Sequence, residues 1–155
     1  MILPDPPTPN CNYLLNSSIM FGWYPGPPGE INNDIEKILG TGRTVFVNLT
    51  SKRETFELFN YIPLVVSKVT NPIFIHHPIA DQGLPDDPNQ YKKLIKTLHY
   101  LVGQGEKIYI HCRGGHGRSG IVAACLLIHL GFRNEEALEM VSTAHKTRSY
   151  IPDYP

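Results

Sequence analysis

The sequence is poor in cysteine and in long apolar runs, and each shortage excludes a class of protein. Its 155 residues include three cysteines, Cys11, Cys112 and Cys125, and no CxxC pair. Neither a disulfide framework nor a zinc site is therefore expected. The longest apolar run covers eight residues, 121–128, whereas a membrane-spanning helix needs about 20. No membrane span is expected.

The sequence also lacks an excess of either charge. Fourteen Lys and Arg balance fourteen Asp and Glu, so binding of nucleic acid through counterion release is not expected. The N-terminus has neither a basic stretch nor an apolar signal core. With 41% apolar and 18% charged residues, the composition indicates a globular chain. The protein is expected inside the cell, in the cytoplasm, the nucleus or both. The composition does not predict an oligomeric state.

Proline is concentrated near the N-terminus, where half of the fourteen prolines precede residue 30. Proline fixes φ and has no N–H, so residues 1–12 are predicted to form an extended arm. We find no internal repeat and no linker after it. Residues 13–155 are therefore predicted to form a single domain.

Beyond the arm, short β-branched runs alternate with helical periodicity. Strands are predicted at 19–24, 44–49, 72–79 and 107–111, and helices at 31–39, 88–102, 119–130 and 134–145, with part of 52–66 helical and broken near Pro63. Asp87 and Asn134 are predicted as helix caps, and Leu138 is predicted to face inward. Strands separated by helices favour an α/β fold, with a central, mostly parallel sheet flanked by helices.

The segment between the strand at 107–111 and the next helix contains the candidate functional residues. It reads HCRGGHGRSG from His111 to Gly120. A loop that leaves a strand and enters a helix N-terminus is a common anion site. Its glycines allow successive backbone N–H groups to point inward around a tetrahedral oxyanion, and an arginine can bind two oxygens at once. The predicted phosphate-binding residues are Arg113, Gly114, Gly115, His116, Gly117 and Arg118.

Cys112 is the predicted nucleophile of this loop. The backbone N–H groups, the helix dipole and Arg118 all favour its thiolate. In-line attack on phosphorus would give a phosphocysteine that water then hydrolyses. Ser119 is predicted to donate a hydrogen bond to the sulfur as it leaves, and His111 to orient the loop rather than act as a base.

The string from His111 to Gly120 resembles HCxxGxxR[S/T]G, the signature of the cysteine-dependent protein tyrosine and dual-specificity phosphatases. The likeness extends over PIADQGLPD and VAACLLIHL. It implies a tyrosine-phosphatase-like fold of the small dual-specificity type, with a shallow pocket for phosphotyrosine and possible activity on phosphoserine or phosphothreonine. It also implies a phosphorylated protein as substrate. No metal and no cofactor is expected, since the loop supplies the positive charge.

The segment 77–86 resembles the general-acid loop of that family. Asp81 is therefore the predicted acid, which protonates the leaving group and later activates water. Asp86 and Asp87 are competing carboxylates, but their proximity to Pro85 and Pro88 favours helix capping.

Three alternatives remain open. Arg113 and His116 add positive charge that would suit a phosphoinositide or an RNA 5′-triphosphate, although a solvent-facing position at the rim of the loop is the favoured interpretation for both side chains. A phosphate-binding module with little turnover is the second alternative. The third is a scaffold protein acting through its proline-rich arm, which has no PxxP motif beside a basic residue.

Overall fold

A mostly parallel β-sheet forms the centre of the protein. The computed structural model describes residues 3–29, 33–79, 87–114 and 117–146. Within these ranges the sheet has five strands: β1 (Cys11–Leu14), β2 (Ile19–Gly22), β3 (Val45–Asn48), β4 (Ile73–His76) and β5 (Ile108–His111). Their order is β1-β2-β5-β3-β4. All neighbours pair in parallel except β1, which runs antiparallel to β2.

Helices flank the sheet, as the alternating pattern predicted. In the described ranges they are α1 (Asp34–Leu39), α2 (Lys52–Glu57), α3 (Ile62–Lys68), α4 (Pro88–Gly103), α5 (Arg118–His129) and α6 (Asn134–Lys146). The break near Pro63 separates α2 from α3, and Pro63 itself lies in the first turn of α3. The Asp87 side chain caps α4 by accepting from the N–H groups of Asn89 and Gln90, as predicted.

Alternation along the strands divides the core into two layers. In β5, Ile108 and Ile110 belong to a cluster that includes residues of α4, α5 and α6. Tyr109 belongs to a second cluster that includes residues of α1 and α3. Because successive side chains point to opposite faces, His111 lies on the side of Tyr109, and Cys112 belongs to the other cluster.

Strand β1 was not predicted, because its four residues directly follow the proline-rich segment. The strand pairs Cys11 with Gly22, and the segment before it is anchored by buried polar contacts. The Asn10 amide donates to the Asp34 carboxylate at 2.9 Å, and the Trp23 N–H donates to the Asn10 carbonyl at 3.0 Å. The proposed boundary between residues 12 and 13 stays a prediction, and β1 spans it.

Two details predicted for α6 are wrong. The Arg133 carbonyl accepts from the Ala137 N–H, so Arg133 rather than Asn134 occupies the cap. Ala137 and Val141, one turn apart, form the buried face. Leu138 lies about 100° further round the helix and is 61% exposed.

No helix in the described part of the chain has both the length and the apolar character needed to cross a bilayer.

Candidate active site

The 112–117 loop leaves the sheet at its centre, because β5 lies between β2 and β3. Backbone hydrogen bonds hold its start from both sides. The Cys112 N–H donates to the Gly22 carbonyl at 3.4 Å, and the Leu49 N–H donates to the His111 carbonyl at 2.9 Å. The loop ends at the N-terminus of α5, which begins with Arg118. The strand–loop–helix arrangement predicted for an anion site is therefore present.

Cys112 and Ser119 lie together under the loop. Cys112 is 2% exposed and Ser119 is fully buried. The Cys112 Sγ is 3.6 Å from the Ser119 Oγ, within hydrogen-bonding distance for sulfur. A hydroxyl at this distance can donate to a thiolate.

Arg118 is held by a carboxylate that the sequence analysis missed. The guanidinium is buried, and its two Nη atoms donate to the Glu54 Oε atoms at 2.5 and 2.9 Å. The Nη1 group also donates to the Ile79 carbonyl at 2.8 Å. The hydrogen bonds from Arg118 are the main reason that the pKa of Glu54 is lowered to about 2. The pair is therefore fully ionised at neutral pH.

Local sequence explains why Glu54 points toward the loop. Ser51 and Glu54 form a capping box: the Ser51 Oγ accepts from the Glu54 N–H, and the Glu54 carboxylate accepts from the Ser51 N–H. The S-x-x-E spacing is the signal that could have revealed this helix start. It carries no information about Arg118, which lies 64 residues away in the sequence.

The first arginine of the loop is also paired with α2. The Arg113 Nη1 donates to the Glu57 carboxylate at 3.0 Å, and both side chains are partly exposed. Glu54 and Glu57 lie three residues apart and share one helix face. Helix α2 thus compensates the charges of both Arg113 in the loop and Arg118 at the start of α5.

His111 is enclosed by aromatic rings beneath the loop. Its Nε2 shares a hydrogen bond of 2.6 Å with the Tyr61 hydroxyl. The rings of Tyr24, Tyr61 and Tyr109 lie within 5.6 Å of the imidazole, centroid to centroid. Burial lowers the pKa of His111 to about 3, opposed by a smaller contribution from the Cys112 backbone. A neutral, fixed imidazole fits an orienting role rather than that of a base at neutral pH.

The structure brings together His111, Cys112, Arg118 and Ser119, and puts Arg113, Gly114 and Gly117 in the same loop. Gly115, His116 and Asp81 lie outside the described residues. Within the described ranges, no group of three or more His, Cys, Asp and Glu side chains is arranged to hold a metal ion. Besides Glu54, sequence reasoning missed Glu57 and Tyr61.

Comparison with known proteins identifies related sequences. A family model described as "Swiss Army Knife protein, DSP-PTPase phosphatase domain" matches residues 10–152. "Putative tyrosine phosphatase 067L" of Invertebrate iridescent virus 3 is 33% identical over 141 residues, 88% of this chain and 54% of the viral protein. Cyclin-dependent kinase inhibitor 3 of Rattus norvegicus is 46% identical over 124 residues, 78% of this chain and 57% of the rat protein. The chain thus spans about half the length of the curated relatives that it matches.

Solved structures share the fold. A kinase associated phosphatase with its catalytic-site cysteine substituted by serine is similar, with a TM-score of 0.74 and 25% identity over 93% of this chain and 89% of that one. The active form of Tk-PTP has a TM-score of 0.71 at 22% identity, covering 94% and 91% of the two chains. Together with the family match across residues 10–152, the sheet and loop described above establish that this chain belongs to the dual-specificity and tyrosine phosphatase family.

Proposed function

We propose that this domain hydrolyses phosphotyrosine in proteins through a phosphocysteine intermediate, and that phosphoserine and phosphothreonine are further substrates. The observation that carries the proposal is the arrangement at the head of α5. There a buried Cys112 lies 3.6 Å from Ser119, next to an Arg118 held in one orientation by Glu54. The cysteine-to-serine substitution at the catalytic site of the related kinase associated phosphatase supports the same role for Cys112.

In the first step, the Cys112 thiolate attacks phosphorus in line with the leaving oxygen. A P–S bond forms and the P–O bond to the tyrosine breaks. Arg118 and the loop N–H groups hold the non-bridging oxygens as charge develops. Asp81, two residues after the Ile79 that accepts from Arg118, gives its proton to the phenoxide oxygen.

In the second step, water attacks the phosphocysteine. The Asp81 carboxylate takes a proton from that water, a P–O bond forms, and the P–S bond breaks to release inorganic phosphate. Ser119 donates to the departing sulfur, which returns as thiolate. No metal ion or cofactor takes part, because every charge in the two steps is met by the loop, Arg118 or Asp81.

The pairing of Arg113 with Glu57 favours a singly phosphorylated side chain over a polyanionic ligand. A phosphoinositide or an RNA 5′-triphosphate would be bound best by a loop with uncompensated cations. Here the Arg113 charge is already met by a carboxylate at 3.0 Å. Phosphoinositides are the competing substrate class. PTPMT1, which shares the fold at 18% identity, has a solved structure in complex with PI(5)P.

Phosphate release tests the proposal directly. A phosphotyrosyl peptide, a phosphothreonyl peptide, short-chain PI(5)P and a 5′-triphosphorylated RNA are compared in the presence of EDTA. We expect turnover of the phosphotyrosyl peptide, its loss in Cys112→Ser, and a large reduction in Asp81→Asn. Faster turnover of the lipid or the RNA would overturn the protein-substrate assignment.

Binding without turnover would support the phosphate-binding module instead. Tungstate or phosphate binding, measured by calorimetry on the wild type and on Cys112→Ser, separates the two. If the protein is an enzyme, Cys112→Ser loses turnover but still binds the anion. A wild-type protein that binds the anion but releases no phosphate from any substrate would overturn the proposed activity.

A further inference from the structure

A groove lies beside β1, the strand at one edge of the sheet. It has a volume of about 700 Å³, within the range of ligand sites, roughly 300–1,000 Å³. Residues 3–6, residues 12–15 and one face of α6 line it. Pro4, Glu136 and Glu139 are exposed and Met140 is half-buried, so the lining presents open surface to a partner. We call it the β1 groove.

The outer edge of β1 has backbone groups without a strand partner. The Trp23 N–H donates to the Asn10 carbonyl, which makes this pair a hydrogen-bonded one. Bonded and non-bonded positions alternate along an antiparallel pair, so Asn12 and Leu14 bond to β2 and Tyr13 does not. The N–H and C=O of Tyr13 therefore point away from the sheet, and neither bonds to a residue of the described ranges.

The β1 groove reaches round this edge. Leu14 packs in the same cluster as Val141 of α6, and Asn12 has the same strand parity as Leu14. The Tyr13 side chain points to the opposite face, where the Arg43 guanidinium lies 5.7 Å from its ring centroid. All three consecutive strand residues line the groove. The groove therefore extends from the α6 face of β1 to the edge where the Tyr13 backbone is open.

The wall opposite β1 does not supply the missing strand. Pro4 and Pro6 belong to that wall, and proline has no N–H to donate. Asp5, between the two prolines, makes no backbone hydrogen bond to Tyr13. This segment lies beside the edge without pairing with it, and the space between the two is the groove.

The β1 groove is acidic. Asp5, Glu136 and Glu139 line it, and no lysine or arginine of the described ranges does. Glu136 is paired with Arg133 at 2.9 Å, whereas the salt bridges in the described part of the chain include neither Asp5 nor Glu139. On a chain without net charge, this concentration of negative charge favours a positively charged partner.

Apolar side chains lie among these carboxylates. Leu3, Leu15, Met140 and Ala144 line the groove, and each is half-buried. An apolar side chain that covers them removes further apolar surface from water, which favours binding. The groove thus suits a segment that combines basic and apolar side chains.

We propose that the β1 groove binds an extended, basic segment of a partner protein, which adds to the sheet as a strand beside β1. The Tyr13 N–H and C=O pair with the backbone of that segment, as in β-strand addition. Its alternate side chains enter the groove, where an apolar group lies on Met140 and a lysine or arginine contacts Glu139. Strand β2 separates β1 from β5, so the bound segment does not occupy the 112–117 loop.

The peptide acetyl-Thr-Lys-Thr-Leu-Thr-Lys-amide is a suitable probe, because its lysines and leucine share one face of an extended strand. Calorimetry at low salt should show saturable binding, and the same peptide with glutamate in place of lysine should not bind. In Glu139→Lys we expect binding about 5- to 10-fold weaker. The matched control is Glu135→Lys, which makes the same charge change on α6 outside the groove lining and should leave the affinity unchanged.

Hydrogen exchange tests the strand pairing independently of charge. We expect the exchange of the Tyr13 N–H to slow when the lysine peptide binds, because that N–H gains a carbonyl partner. Binding without slower exchange at Tyr13 would overturn the strand addition. Because neither calorimetry nor exchange needs turnover, both are separate from the test of the proposed phosphatase activity.

Three other results would also overturn the inference. They are no saturable binding of the lysine peptide, equal binding of the glutamate peptide, and an equal loss of affinity in Glu135→Lys and Glu139→Lys. Sedimentation of the protein alone addresses a second copy as the occupant. A dimer in which the Tyr13 N–H is already protected would assign the edge of β1 to self-association instead of a basic partner.

Discussion

The Glu54 carboxylate binds both terminal nitrogens of the Arg118 guanidinium, at 2.5 and 2.9 Å. Arg118 is 4% exposed, and only 12% of the Glu54 side chain is exposed. Two parallel charge-assisted bonds fix the plane of the guanidinium as well as its position. Glu54 is therefore a positioning residue for the arginine that is proposed to hold the phosphoryl group.

Replacing the carboxylate should lower activity more than a surface substitution does. In Glu54→Gln the neutral amide cannot accept from both Nη atoms, so Arg118 loses its fixed orientation. We expect kcat/KM for a phosphotyrosyl peptide to fall by about 10- to 100-fold, roughly 1.4–2.7 kcal/mol of transition-state stabilisation. The inhibition constant of inorganic phosphate should rise in parallel, which simple destabilisation would not cause. Glu135→Gln, at an exposed position of α6, is the control, and equal phosphate affinity in both variants would contradict the assignment.

The same pair makes the protein sensitive to acid. The pKa of Glu54 falls from its ordinary value near 4.5 to about 2 in the folded chain. The unfolded chain therefore takes up a proton at higher pH than the folded one, and the stabilisation present above pH 4.5 is lost as pH falls toward 2. This pKa shift contributes at most about 3 kcal/mol to the free energy of unfolding. Urea unfolding at several pH values measures the free energies of unfolding of the wild type and of Glu54→Gln. The difference between the two proteins should shrink below pH 4.5. A difference that stays constant down to pH 2 would refute it.

Tyr61 supports His111 through a buried hydrogen bond of 2.6 Å. Tyr61→Phe keeps the ring but leaves the imidazole Nε2 without this partner, at a cost of about 1–3 kcal/mol in the free energy of unfolding. We also expect a lower kcat, because His111 directly precedes Cys112. Urea unfolding at pH 7 and steady-state kinetics measure both effects. Tyr100→Phe, at an exposed site on α4, should change neither, and a stable, fully active Tyr61→Phe would exclude the supporting role.

Glu57 should influence which substrates the loop accepts. Removing its charge in Glu57→Gln leaves the Arg113 cation free to contact a second anionic group. The pair is partly exposed and screened by solvent, so we expect a modest gain of about 2- to 5-fold in kcat/KM for a doubly phosphorylated peptide relative to a singly phosphorylated one. Adding Arg113→Ala should abolish the gain. A gain that persists in the double variant would show that Arg113 is not its source.

Much of the fold could be predicted because its signals are local. The α4 start depends on Asp87 and Pro88, which are adjacent in sequence, and the β5–loop–α5 unit is one continuous string. Strand β1 has no such signal: four residues gain their partner only from β2. The phase of α6 was misjudged at Leu138 because periodicity alone does not say which of two neighbouring apolar residues meets the core.

The residues of the candidate site likewise divide into those with a local sequence signal and those without one. Cys112, Arg118 and Ser119 follow from a contiguous motif. Glu54 and Tyr61 contact Arg118 and His111 across separations of 64 and 50 residues, and only the tertiary fold brings these residues together. Their local sequence describes a capping box and a helix start, not the arginine and histidine that they contact.

Gly22 provides a further test, because it joins β1 to the start of the loop. It pairs with Cys11 on one side and His111 on the other, and its carbonyl accepts from the Cys112 N–H. An added Cβ would lie 2.4 Å from the Asn10 carbonyl oxygen and 2.7 Å from the Cys11 Cα. These are backbone atoms, so the strands would have to move apart.

We therefore expect Gly22→Ala to lower the free energy of unfolding by about 1–3 kcal/mol and to reduce turnover, since the strand that holds the Cys112 N–H is displaced. Gly103→Ala is the matched control. An added Cβ there meets nothing within 4 Å, and alanine at the end of α4 is expected to be neutral or stabilising by up to about 1 kcal/mol. Urea unfolding and phosphate release measure both variants side by side. If Gly22→Ala were as stable and active as Gly103→Ala, the close approach of β1 to β2 would have no part in holding the loop.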